Sequence, residues 1–192
     1  MGRPLRVIEP GGFYQVVSRG NFGQQIFFRP LDYAVFLDRA AVLARENGWV
    51  VYAYCLMPNH FHFLMNVTSG RLSRGVQVMN AGHSRMINSR YERTGEGHLF
   101  RNRFYAGLIE RESHLRETVR YVVLNPKRAG LCELPEEWPW SSYAACTGLE
   151  LGHPLLATTE TLRLFGHRPG PAARAFREFI RDGFDVARVG RP

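Results

Sequence analysis

Residues 49–67 read WVVYAYCLM, then Pro58-Asn59, then HFHFLMNV. Both arms are dense in aromatic and β-branched residues, and the Met57-Pro58-Asn59 break is a turn signal. The stretch therefore predicts a hairpin of strands over 49–57 and 60–67. In the second arm His60 and His62 stand two apart, with Phe61 between them. Successive strand side chains alternate faces, so both imidazoles point to one side of the sheet and Phe61 to the other. Imidazoles one strand repeat apart can converge on one divalent cation. The same pattern also occurs as a pair of half-buried histidines with no ligand.

Working outward, FYQVVSR at 13–19 predicts a strand that ends at Gly20-Asn21. Pro30 and Asp32 open a helix whose apolar positions run Tyr33, Phe36, Leu37, Ala40, Leu43, Ala44, with Asn47-Gly48 as its stop. After Ser69-Gly70 a long helix runs to about residue 93. Leu72, Val76, Met79, His83, Met86 and Ile87 form its inward stripe, and Arg74 and Arg85 share another face. YAGLIE at 105–110 predicts a further strand. Ser113 is placed to cap a helix that ends near Asn125, because Pro126 follows. The order is βαββαβ followed by a helix. This is an α+β class: a ferredoxin-like βαββαβ antiparallel sheet with helices on one face. Past Cys132 prolines punctuate short helical pieces, the most amphipathic over 173–184. The chain thus divides into a region 1–132 and a C-terminal helical extension, 133–192.

Composition narrows the class. The 192 residues are 45% hydrophobic and 22% charged, enough for a core without covalent staples. Cys55, Cys132 and Cys146 are scattered, with no CxxC pair, which argues against a disulfide framework or a structural zinc knuckle. With no apolar run of membrane-span length and no signal-peptide pattern, the expectation is a soluble, cytoplasmic protein. The formal net charge is +8, and Lys127 is the single lysine among 25 cations. Residues 71–128 hold 12 cations and 5 acids, so most of the excess charge sits in one segment. Such a region suits a polyanion, most often nucleic acid. No Walker loop is present, and the four aspartates lie away from the motifs, so a three-carboxylate metal centre lacks its ligands.

The predicted helix 113–125 carries two stripes. Leu115, Val119, Val122 and Val123 mark a core face. His114, Thr118, Tyr121 and Asn125 make a neighbouring one, with Tyr121 and Asn125 one turn apart. A phenol and a side-chain amide can then face one site.

YAYCLMPNHFHFLM, then GHLFRNRFYAGLIE, then RYVVLNPKRAG resemble, in order, the REP-associated tyrosine transposases, a branch of the single-tyrosine HUH transposases of prokaryotic insertion elements. The likeness runs from about residue 4 to about residue 134 and touches EEWPWSSYAA beyond it. It implies cleavage and rejoining of single-stranded DNA at hairpin sites through a 5′-phosphotyrosine. His60 and His62 match the family's His-hydrophobe-His metal motif, Tyr121 its nucleophile, and Asn125 the position of its third metal ligand. The implied cofactor is Mg²⁺ or Mn²⁺, the latter better matched to nitrogen ligands. Candidate acceptors of the phenol proton are a cation-held water and His114. Basic groups with interleaved aromatics suit single strands, which makes Arg19, Arg101, Arg103, Phe104, Lys127 and Arg128 candidate DNA contacts, with Arg74 and Arg85 along a hairpin stem. The resemblance leaves open a monomer or a homodimer and implies a nucleoid-associated location. Two rival readings are a hairpin-DNA-binding protein of this fold that does no chemistry, and another HUH nickase of the initiator or relaxase type.

Overall fold

In the computed structural model, which describes residues 7–93 and 95–184, four strands pair into one antiparallel sheet. They are β1 (Gly12–Arg19), β2 (Trp49–Met57), β3 (His60–Val67) and β4 (Tyr105–Ile109), in the order β2-β3-β1-β4. Helices α1 (Pro30–Asn47) and α2 (Leu72–Arg90) complete the expected βαββαβ sequence. The two regions read from the sequence, 1–132 and 133–192, begin and end outside the described residues, as does the start of the likeness near residue 4.

α1 and α2 cover one face. Phe36 of α1 meets Phe61 and Phe63 of β3 at ring separations of 5.0 and 6.2 Å, and Asn80 of α2 donates to the Ser18 hydroxyl of β1. The stripe Leu72, Val76, Met79, His83, Ile87 is buried, as its spacing predicts. α1 stops where Gly48 takes φ +63°, a left-handed conformation that costs a side-chain-free residue little.

The other face is covered by α3 (Glu112–Val123), through Leu115, Val119, Val122 and Val123, all essentially buried. Two boundaries differ from expectation. The backbone leaves the extended region at Arg111 (φ −127°, ψ 138°), so Ser113 falls inside the first turn and caps nothing. α3 ends at Val123, Leu124 turns the chain, and α4 (Asn125–Arg128) restarts it with Pro126 in its first turn, where a missing N–H costs least. The Asn125 amide donates instead to the carbonyls of Tyr121 (2.7 Å) and Val122 (3.4 Å), the latter a carbonyl that a residue-126 N–H would otherwise have served.

The C-terminal segment forms a 3-10 turn at Pro135–Glu137, then α5 (Tyr143–Thr147), α6 (Thr158–Arg163) and α7 (Pro169–Arg181). It shields the outer edge of β2. The Leu56 N–H donates to Trp140 O (2.8 Å), the Trp138 indole to Leu56 O (3.0 Å), and the Thr161 hydroxyl to Tyr52 O (2.7 Å). α7 also reaches α3. The Arg120 guanidinium lies 4.2 Å above the Phe179 ring and donates to the Phe179 carbonyl while pairing with Glu117. Gly183 allows this approach, since a Cβ there would fall 2.5 Å from Arg120 Cδ. Among the described residues no helix is long and apolar enough to cross a membrane.

Candidate active site

Strand alternation decides the site. β3 pairs with β1 so that His60 opposes Arg19 and His62 opposes Val17, while β4 sets Tyr105 beside Val17. Arg19, Val17 and Gln15 therefore share a face with both histidines and Tyr105. The imidazoles of His60 and His62 sit edge to face, 4.8 Å apart, on the side away from Phe61, as the two-residue spacing requires. They differ in partners. His60 Nδ1 meets Asn59 Oδ1 at 2.7 Å, and an amide oxygen can only accept, so Nδ1 carries the proton and Nε2 keeps its lone pair. His62 is 1% exposed, and neither of its ring nitrogens has a hydrogen-bond partner. Burial, reinforced by the Arg19 charge, lowers His60 to about 4. Burial, with His60 and Arg19, lowers His62 to about 3. Both rings are neutral at pH 7, the form that ligates metals.

Across from them stands Tyr121, on the face of α3 next to its buried stripe. Its ring is 5.6 Å from that of His62 and nearly perpendicular to it. The phenol separates two hollows. One, of about 280 Å³, is lined by Gln15, Val17, Arg19, His62, Tyr105 and Tyr121. The other, of about 390 Å³, brings in His114, Thr118 and Arg128. Arg128 stacks its guanidinium 5.3 Å from the centre of the Tyr121 ring. Asn125 is tied to α3 by its amide nitrogen, so Oδ1 is the atom with which it could coordinate, but it lines neither hollow.

Two neutral imidazoles, one with unpaired buried nitrogens and one with its tautomer set, fit a divalent cation. Among the described residues no group of three or more His, Cys, Asp or Glu gathers as a cation site. A third protein ligand would have to be of another type, as Asn125 is.

The other sequence candidates scatter. Arg101 joins Arg19 at the pocket end of β1, its N–H donating to Arg19 O (2.8 Å), and exposed Arg103 and half-buried Phe104 follow on the way to β4. Lys127 is engaged within the protein, donating to Glu133 O (2.6 Å) with its ammonium 4.9 Å from the Phe184 ring centre. Arg74 and Arg85 are exposed on α2, behind the sheet from Tyr121, and Arg85 borders a groove between α1 and α2. Sequence reading passed over Gln15 and Tyr105, which the period-two alternation of β1 and β4 could have assigned to the histidine face. It also passed over Asn59, for which adjacency to His60 was the signal.

The family described as "Transposase IS200 like" matches residues 13–125, more than half of the chain, from β1 through the phenol to Asn125. The chain belongs to the IS200-like transposase family. A Haemophilus influenzae protein named provisionally as a REP-associated tyrosine transposase is 24% identical over an alignment of 100 positions that covers 47% of this chain and 57% of that relative. This IS200-like chain thus spans little more than half the length of the relative it matches. A solved REP-associated tyrosine transposase bound to a REP hairpin superposes with a TM-score of 0.62 at 19% identity, covering 77% of this chain and 86% of the other. A transposase structure from Deinococcus radiodurans R1, so named provisionally, covers 62% of this chain and 93% of its own, at 15% identity and a TM-score of 0.43. The α+β fold class read from the sequence is the one shared with the hairpin-bound structure.

Proposed function

We propose that this IS200-like protein cleaves and rejoins single-stranded DNA beside a hairpin, with Tyr121 as nucleophile. The observation that carries the reading is the convergence of the Tyr121 phenol, from α3, on the unpartnered imidazole of His62, from β3. Tyr121 Oη attacks the phosphorus, the P–O3′ bond breaks, and the 3′ oxygen leaves as a hydroxyl with a proton. One phosphodiester is exchanged for a 5′-phosphotyrosine, so the step is close to isoenergetic and runs backwards for rejoining without a nucleotide triphosphate. His60, His62 and Asn125 would hold Mg²⁺ or Mn²⁺, which when bound polarises the scissile phosphate and spreads its charge.

The remaining work falls to the chain's own groups. His60 is oriented by Asn59. Arg19 and Arg101 supply positive charge at the pocket end of β1 for the backbone of the single strand. Arg128 braces the face of the nucleophile ring. His114 lines the hollow behind Tyr121 and is the protein's own candidate acceptor for the phenol proton. Hairpin DNA as partner accords with the solved relative that carries one.

The test uses the full chain, Mn²⁺ or Mg²⁺, and hairpin oligonucleotides with single-stranded flanks. Wild type forms a covalent protein–DNA adduct that survives denaturing electrophoresis. Tyr121→Phe forms none yet still shifts the hairpin in a native gel. Adduct from Tyr121→Phe, or none from wild type across a hairpin panel, overturns the reading. Hairpin binding with no wild-type adduct would leave a binding module.

A further inference from the structure

Beyond the end of β1, Gly20-Asn21-Phe22-Gly23 makes a tight turn whose tip carries the Phe22 ring 98% exposed. A lone exposed hydrophobe is ordinary. This one comes with two further features. Phe22 takes φ +50°, ψ 26°, a left-handed conformation that a bulky L residue adopts only under constraint. The turn is also pinned from both sides. Gly20 N–H donates to Asn59 O (2.7 Å), Asn21 N–H to Leu99 O (2.9 Å), and the Asn59 amide nitrogen to Gly23 O (3.2 Å). The strain therefore holds a large apolar ring out in water on a rigid mount. Strain of this kind, kept by over-determining contacts, marks functional positions.

The mount is joined to the proposed site. Asn59 gives its amide nitrogen to the Phe22 turn and its amide oxygen to His60 Nδ1 (2.7 Å), so one side chain registers the ring against the histidine pair. Arg19 lies just before the turn, and Arg101 is hydrogen-bonded to Arg19 through the backbone. A rigid, exposed aromatic beside cationic groups is the arrangement that binds unpaired nucleotides, with the ring stacking on a base and the arginines meeting phosphates.

We propose that Phe22 is a stacking platform for one unpaired nucleobase flanking the scissile phosphate. This rests on the DNA-cleavage reading above and specifies its substrate, a hairpin with a single-stranded flank whose base leaves the stack to lie on Phe22. Any base serves, because every base presents a π face.

The experiment measures binding of the full-length protein to three oligonucleotides: a hairpin with an unpaired flank, the same hairpin with abasic flank positions, and the blunt hairpin. Phe22→Ala is expected to weaken binding to the flanked hairpin about tenfold and to leave the abasic and blunt hairpins as in wild type. Phe22→Trp retains flank binding. A 2-aminopurine in the flank is quenched by wild type and not by Phe22→Ala. Phe22→Gly relieves the left-handed conformation and melts at the wild-type temperature or a few degrees above it, while losing flank preference. The proposal falls if wild type binds the flanked hairpin and Phe22→Ala binds it equally. It falls if Phe22→Gly lowers the melting temperature, which would make the ring a packing group. It falls if Phe22→Ala dissociates a wild-type dimer in sedimentation, which would give the ring to a second copy. A wild type that binds none of the three oligonucleotides overturns the parent reading as well.

Discussion

Two buried histidines on opposite faces of one sheet show how the same side chain serves structure and chemistry. His83 and His62 are each 1% exposed, and burial lowers them to about 4 and about 3. His83 lies among Phe27, Phe36 and Phe100 and bonds Ile26 O through Nε2 at 2.6 Å. Its polarity is used to close a backbone carbonyl inside the core. Among the described residues the ring neighbours of His62 are His60 and Tyr121, and both its nitrogens are left without a partner. Buried polar atoms are nearly always paired; His83 leaves Nδ1 open but ties down Nε2, whereas His62 leaves both nitrogens open beside a hollow, which is what a binding site looks like before its ligand arrives.

The largest effect that would break this contrast is on activity. His62→Ala is expected to lower adduct formation at least ~10³-fold, whereas His83→Leu, assayed on folded protein, stays within about twofold of wild type because it touches no reacting group. Stability should move the other way. His83→Leu leaves the Ile26 carbonyl unpaired and should cost about 2 kcal/mol. His62→Leu removes an orphan and should be neutral or stabilising by about 1 kcal/mol, both measured by urea unfolding with chelator present. Equal losses would erase the distinction between the two faces.

Acid sharpens it further. His83 is held neutral in the fold, so its contribution is complete above the ordinary value of 6.5 and is lost as pH falls toward about 4. The unfolded chain takes up the proton first. Up to about 3 kcal/mol is involved, more than the gap at neutral pH, so the difference between wild type and His83→Leu should close as pH falls and reverse toward pH 4 in urea titrations. The smallest effect concerns Arg128, stacked on the Tyr121 ring. Arg128→Gln should slow adduct formation by roughly threefold to tenfold with hairpin affinity little changed, read from single-turnover kinetics.

How much of this was legible from residues alone follows from which contacts are local. The hairpin at 49–67, both helix stripes and the shared face of His60 and His62 follow from periods of 2 and 3.6 and were read without coordinates. The apposition of Tyr121 and His62 needs α3 laid across the far face of the sheet, and only the resemblance supplied it. Ser113 looked like a cap because its residue type suits one, but the turn was set two residues earlier by the extended Arg111. Lys127 and Arg128 are adjacent in sequence, yet one ends on Glu133 and Phe184 and the other on Tyr121. Charge counts cannot separate them. The placement of Arg74 and Arg85 behind the sheet was equally invisible to a tally of cations, and so was the strained backbone of Phe22, because nothing in residue type announces a left-handed phenylalanine.

The grip of Arg120 on Phe179 has a consequence for how this chain tolerates change. The Tyr121 hydroxyl stands on a helix tied through Arg120 to a segment containing none of the motifs, some sixty residues downstream. Shortening the chain before α7 would therefore do more than prune a tail. It would cut the tether at Arg120 and free the helix that carries Tyr121 on that side, while every matching letter of the family signature stayed in place.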